Sequence, residues 1–120
     1  MSIQIVGGSV SPSTALTLNA QTGTTYTFVL TDANNTLVTA SNASAQTYTI
    51  PPNSSVAYPV GSQINIIQIG AGQVSFAQGS GVTIASNGAT STAPKLRVQD
   101  SSASAIKVGT DSWYVVGDIA

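Results

Sequence analysis

The chain has 120 residues, with three basic and four acidic side chains, no histidine and no cysteine. Charged residues make up 6% of the sequence, against about 25% in an average soluble domain. This composition excludes metal sites built from cysteine or histidine, excludes disulfides, and argues against the basic surface that nucleic-acid binding requires.

Membrane and secretory classes are also disfavoured. Residues 1–10 lack the basic segment and the long apolar core of a signal peptide. No apolar run approaches the roughly 18 residues needed to cross a bilayer. A net charge of -1 gives no attraction to an anionic lipid surface. We therefore expect a soluble protein made in the cytoplasm, with neither a membrane nor a nucleic acid as partner.

The first twenty residues stand apart from the rest. They hold two short apolar runs, at 3–6 and 15–18, separated by small polar residues. This pattern fits either the first strands of the domain or an arm that lies across a neighbouring subunit, and both interpretations stay open. We place the main domain at residues 21–120.

From residue 24 onward, apolar side chains recur with a period of two, which is typical of half-buried strands. Residues 24–31 and 46–50 alternate apolar side chains with threonine. Residues 63–69 are apolar on both faces and are predicted to form a central strand. Further strands are predicted at residues 73–77, 82–85, 95–99, 105–108 and 112–117.

Glycine, proline and asparagine clusters separate these strands. Pro51 and Pro52 must end the strand before them, because proline cannot donate to a strand ladder. Residues 70–72 are short enough for a hairpin loop, and residues 86–94 read as a polar surface loop. Interruptions at about 8–12 residues, with no amphipathic helix, predict an all-β fold in one domain: a jelly-roll-like antiparallel sandwich.

The residues that could support catalysis are few. Asp32, Asp100, Asp111 and Asp118 are the only carboxylates, and all four lie at predicted turns or strand ends, where aspartate commonly caps backbone N–H groups. Serine and threonine occupy 32 of the 120 positions, yet no histidine can activate a hydroxyl. The segment that starts at Asp32 begins like a calcium loop but lacks the glycine and glutamate of an EF-hand. We predict no enzyme, no catalytic residue, no cofactor and no metal site.

Aromatic side chains are the remaining candidates for binding. Those on the apolar side of alternating strands are assigned to the core, and they are Tyr26, Phe28, Phe76 and Trp113. Tyr58, which follows a turn, and Tyr114, which lies opposite Trp113, are predicted to be exposed at an interface. We favour a subunit contact at these two residues, with a sugar-binding site as the alternative.

Four segments occur in an order that resembles a module of tailed-bacteriophage virion proteins. They are PPNSS at 51–55, GAGQV at 70–74, KLR at 95–97 and WYVVGD at 113–118. The resemblance extends from about residue 24 to the C-terminus. The module occurs in tail fibres and other virion structural proteins, and standing alone it is similar to small head-decoration proteins.

The resemblance implies a structural protein without catalytic residues. It points to a capsid decoration (cement) protein on the capsid exterior, which as a homotrimer binds the major capsid protein and stabilises the shell through many weak contacts. The alternative is a tail-fibre or receptor-binding module that recognises host-surface glycans. Either function places the protein in the virion after synthesis in the host cytoplasm.

Overall fold

The computed structural model describes residues 15–120, whose regular secondary structure is almost entirely β-strand. The elements, in chain order, are β1 (Thr17–Gln21), β2 (Thr25–Thr27), a 3₁₀ helix (Leu30–Ala33), β3 (Thr36–Ala40), β4 (Gln46–Ile50), β5 (Gln63–Gln68), β6 (Val74–Gln78), β7 (Thr83–Ala85), β8 (Ser102–Gly109) and β9 (Ser112–Gly117). The prediction of an all-β fold in a single domain is confirmed. The apolar run at 3–6 lies outside the described residues, and the run at 15–18 leads into β1.

The strands form two sheets. One has six strands in the order β1-β3-β5-β8-β9-β7, and the other has three in the order β2-β4-β6. From β1 to β6 the chain changes sheet after every strand, so β1, β3 and β5 run parallel in one sheet and β2, β4 and β6 in the other. This segment therefore forms three stacked coils, as in a solenoid. β7 pairs with β9 in parallel, and β8 is antiparallel to both β5 and β9.

The predicted antiparallel arrangement is wrong for five of the seven strand pairs within residues 15–120. A jelly roll is built from antiparallel strands, so that part of the prediction is not confirmed. The physical reason is that side chains alternate along a strand in the same way in both kinds of sheet. Strand pattern alone cannot tell whether the chain turns back within one sheet or crosses to another.

The segment at 70–72 shows this difference directly. β5 before it and β6 after it belong to different sheets, so the segment is a corner between sheets and the hairpin prediction is wrong. Its backbone touches the corner of the preceding coil. A Cβ atom at Gly72 would overlap the Ser44 carbonyl oxygen, and one at Gly70 would lie 2.5 Å from the Asn42 backbone nitrogen. Glycine is needed here because two stacked corners leave no room for a side chain.

Three strand predictions need correction. Residues 24–31 stay in the sheet only for the three residues of β2, and then form the 3₁₀ helix, which exposes Leu30. β3 was not indicated by the pattern, because the polar residues Thr36 and Thr39 interrupt its apolar side chains. Residues 95–99 make only isolated bridges instead of a strand. The remaining predicted strands are present, and β5 is central in its sheet, between β3 and β8.

The core lies between the two sheets. Its largest buried side chains are Trp113, Tyr48, Phe28, Phe76, Ile50, Ile64 and Ile66. Phe28, Phe76 and Trp113 are buried as predicted, whereas Tyr26 is only half-buried. Because the second sheet has only three strands, it cannot cover all six strands of the first. The loop between β4 and β5 covers the uncovered part, where the ring of Tyr58 packs edge-on against Trp113 with 5.2 Å between ring centroids.

Candidate functional site on the outer face of the six-stranded sheet

The six-stranded sheet turns one face to the core and the other away from it. We name the second one the outer face. Since side chains alternate along a strand, Trp113 and Val115 of β9 are buried while Tyr114 and Val116 point outward. The same alternation holds in β8, where Ala103 and Ala105 are buried. The outer face includes the large apolar side chains Leu18, Leu37, Ile106, Val108, Tyr114 and Val116.

The outer face is apolar and uncharged. Leu18 is 65% exposed, and Val108, Tyr114 and Val116 are 49%, 50% and 48% exposed. Within residues 15–120, no outward-facing residue of the six strands carries a charge. Large exposed apolar side chains gathered on one uncharged face are typical of a contact site for another molecule. The outer face is therefore the candidate functional site.

A small polar cluster lies at the centre of the outer face, where β5 pairs with β8. Asn65 and Ser104 are direct partners in the strand register. The Ser104 hydroxyl donates to Asn65 Oδ1 at 2.6 Å, and Gln63 Nε2 donates to the same oxygen at 2.9 Å. These groups use one another as hydrogen-bond partners, so covering them costs less than covering free polar groups.

Tyr114 lies beside a surface groove of about 410 Å³. The other residues that line the groove are Ala85, Ser86, Asn87, Val115, Val116 and Gly117. The predicted exposure of Tyr114 is therefore confirmed, while its role in an interface stays a prediction. A half-exposed aromatic ring beside amide and hydroxyl groups can receive either an apolar side chain from a protein or a sugar ring.

Tyr58, the other predicted interface residue, is not on the surface. It is 3% exposed, and its hydroxyl donates to the Val29 carbonyl oxygen at 2.7 Å. Burial raises the pKa of Tyr58 above the ordinary range of a tyrosine. The predicted exposure is wrong, because the loop that carries Tyr58 folds over the part of the six-stranded sheet that the smaller sheet leaves uncovered.

Asp32 is buried with three hydrogen-bond donors around it. Its carboxylate accepts from the Tyr26 hydroxyl at 2.6 Å, from Asn19 Nδ2 at 2.8 Å and from the Val29 backbone N–H at 2.9 Å. The bond from Val29 satisfies the backbone N–H at the N-cap of the 3₁₀ helix. Desolvation and the nearby Asp32 carboxylate raise the pKa of Tyr26. Asp32 thus joins β1, β2 and the helix as a structural group.

The other aspartates are separate from Asp32. Asp111 accepts from the Asn53 backbone N–H at 2.7 Å, and Asp100 has a left-handed backbone with φ of 72°. Asp118 accepts from Arg97 Nε at 2.6 Å and from Nη2 at 3.0 Å, which lowers the pKa of Asp118 below its usual value. Within residues 15–120, no group of three acidic side chains could hold a metal ion. The absence of enzymatic activity stays a prediction.

Lys107 is a buried charged residue that the sequence analysis did not identify. It is 2% exposed, and its Nζ donates to Asn53 Oδ1 at 2.7 Å and to the Tyr58 carbonyl oxygen at 2.6 Å. These bonds fasten the loop between β4 and β5 to the inner face of β8. The available signal was its spacing, since Lys107 follows the buried residues Ala103 and Ala105 at intervals of two.

Comparison with protein-family models, with curated proteins and with solved structures finds no match to this chain. In the described part of the chain, no helix has the length and apolar character needed to cross a membrane.

Proposed function

We propose that the protein is a structural component of a bacteriophage virion, a capsid decoration protein that binds the outer surface of the major capsid protein. In this function it acts by contact, without catalysis, and many copies together stabilise the shell. The self-association expected for such a protein is a homotrimer on the capsid exterior. The proposal does not depend on a jelly roll, because stacked parallel coils also offer flat contact faces.

The observation that carries this proposal is the outer face. A six-stranded sheet that exposes Leu18, Val108, Tyr114 and Val116 without any charge is poorly suited to a free monomer. Soluble proteins generally keep charge on exposed surfaces to prevent association. The resemblance of the segments at 51–55, 70–74, 95–97 and 113–118 to virion modules supplies the class of partner.

Fractionation of virions tests this proposal. Purified particles are dissociated, heads and tails are separated, and the protein is quantified in each fraction by mass spectrometry. We expect it in the head fraction, at many copies per particle. We also expect heads depleted of the protein to lose DNA at a lower temperature than heads to which the recombinant chain has been added back. Detection in the tail fraction alone would refute a role on the shell.

One observation favours a second function, recognition of host-surface glycans by a tail-fibre module. The groove beside Tyr114 combines a half-exposed aromatic ring with the side chains of Ser86 and Asn87, and a sugar ring can stack on such a surface. Since Tyr58 is buried, Tyr114 is the residue to test. Binding of the wild-type chain to a glycan array, lost in Tyr114→Ala, would support this function. An array without signal, together with unchanged virion adsorption by Tyr114→Ala, would refute it.

A further inference from the structure

We infer that the outer face is the surface through which copies of this chain pack against one another. This inference rests on the proposed function, which requires many copies, and adds to it the surface and the partner of the self-contact. The outer face is then used between copies, so the contact with the capsid protein falls to another surface of the molecule. The partner is a second copy of the same chain, and the contact is made by β1, β3, β5, β8 and β9.

The chemistry of the outer face suits a copy of itself. The face has no charge within residues 15–120, so two copies meet without like-charge repulsion and without an ion left unpaired. Its apolar residues, such as Leu18 and Val116, gain from removal of water. Its central polar groups, Gln63, Asn65 and Ser104, already bond to one another. These two hydrogen bonds therefore stay intact when a copy covers the outer face.

The size of the outer face also fits this contact. The five contacting strands, at a spacing of about 4.8 Å and most of them 5–6 residues long, make a surface of roughly 25 Å by 18 Å before side-chain relief. This is about 450 Å², a little over half of the roughly 800 Å² that one partner contributes to a standard specific interface. Side-chain relief adds to the buried area, so the outer face alone provides most of such an interface.

The opposite side of the molecule has a different character. On the three-stranded sheet, Thr47 of the central strand lies between Thr25 and Ser75, and Thr27 lies beside Thr49 in the parallel register. These outward side chains form rows of hydroxyl groups, which interact well with water. The four remaining exposed charged side chains are not part of the six strands. Lys95 and Arg97 lie in the segment after Pro94, Asp100 lies in the turn after it, and Asp118 follows β9. Apolar exposure on the flat sheets is thus concentrated on one side.

Two matched lysine substitutions test the inference. Val116 is 48% exposed in the single chain, so the lysine of Val116→Lys can reach water and the chain can still fold. In the interface, the same lysine would be buried without a partner. We expect the dissociation constant of the self-contact to rise by at least ~30-fold. Thr47→Lys places the same charge on the hydroxyl face and serves as the control.

The measurement is sedimentation velocity of the full chain at micromolar concentrations, with circular dichroism as the check on folding. We expect an oligomer for the wild type and for Thr47→Lys, and a monomer for Val116→Lys with an unchanged spectrum. If Val116→Lys does not fold, Val116→Thr is used, with a smaller rise in the dissociation constant expected. A monomeric wild type, or an oligomer that either Val116 variant leaves intact, would overturn the inference.

The outcomes also separate this inference from the proposed function. Monomeric wild-type protein that still occurs in the head fraction would overturn the self-contact and leave the decoration proposal standing. An oligomer that dissociates in Val116→Lys, together with detection in tails alone, would support the self-contact and refute the shell role.

Discussion

Replacement of Trp113 by alanine tests the packing of the loop between β4 and β5 on the six-stranded sheet. The side chain is 1% exposed and is the largest buried group. Truncation of a buried tryptophan costs about 3–5 kcal/mol, since the transfer free energy is lost and a cavity remains. The edge-on contact with Tyr58 is lost as well, which is worth about 1 kcal/mol. We therefore expect a loss in the upper part of the 3–5 kcal/mol range.

Urea unfolding followed by circular dichroism measures this loss. Fluorescence cannot be used, because Trp113 is the single tryptophan. For an m-value of about 2 kcal/mol/M, the midpoint falls by roughly 2 M. Both proteins are measured at one chain concentration, because self-association would stabilise the folded state. Val98→Ala, at an exposed position outside the strands, serves as the control and is expected to change stability by less than about 0.5 kcal/mol. A loss below about 1 kcal/mol for Trp113→Ala would refute the burial of this face of β9.

Three further changes have defined outcomes. Gly72→Ala should force two stacked corners apart, because the new Cβ atom would overlap the Ser44 carbonyl oxygen. We expect strong destabilisation in a thermal melt. Gly81→Ala is the control: it has open space around it and should cost only the strain of its left-handed backbone. Asp32→Asn places an NH₂ group where the carboxylate now accepts hydrogen bonds from three donors. We expect the free energy of unfolding, measured in urea, to fall by about 1–3 kcal/mol. Unchanged stability would contradict the hydrogen-bonding role of the Asp32 carboxylate. Burial raises the pKa of Tyr48 from 10.0 to about 12. A raised pKa favours the neutral phenol in the folded chain, so this stabilisation is complete below pH 10 and is lost as the pH rises towards 12. We expect the tyrosinate absorbance of Tyr48 to appear only as the protein unfolds. Ionisation of Tyr48 near pH 10 in the intact fold would contradict its raised pKa.

The strands were predictable because alternation with a period of two reflects burial of one face, whatever the direction of the neighbouring strand. Because the alternation does not depend on strand direction, it could not show that most neighbouring strands are parallel. At Gly70 and Gly72 the sequence suits a hairpin, while the structure uses the missing side chains for contact between coils. β3 was missed because Thr36 and Thr39 are buried polar residues, and these dilute the apolar pattern of the strand.

The candidate site was predictable only in part. Tyr114 was placed correctly because its exposure follows from the alternation within its own strand. Tyr58 and Lys107 depend on a contact between distant parts of the chain, since the bond between Lys107 and Asn53 joins residues 54 positions apart. The alternation within β8 gives the inward direction of Lys107, but no local pattern predicts its contacts with Asn53 and Tyr58. The extent of the outer face was also hidden, because it requires knowing that β1 and β9 belong to one sheet.

The fastening of the β4–β5 loop by Lys107 has a consequence for synthesis on the ribosome. The three coils use residues up to Gln78, whereas the amine that holds Asn53 and Tyr58 belongs to β8. As the nascent chain emerges from its N-terminal end, the coils can stack early, but the loop gains its anchor only after residue 107 has left the exit tunnel. Until then, the edge of β5 that will receive β8 stays unpaired. An unpaired strand edge is open to wrong association, so the polypeptide is most vulnerable before β8 has paired with β5.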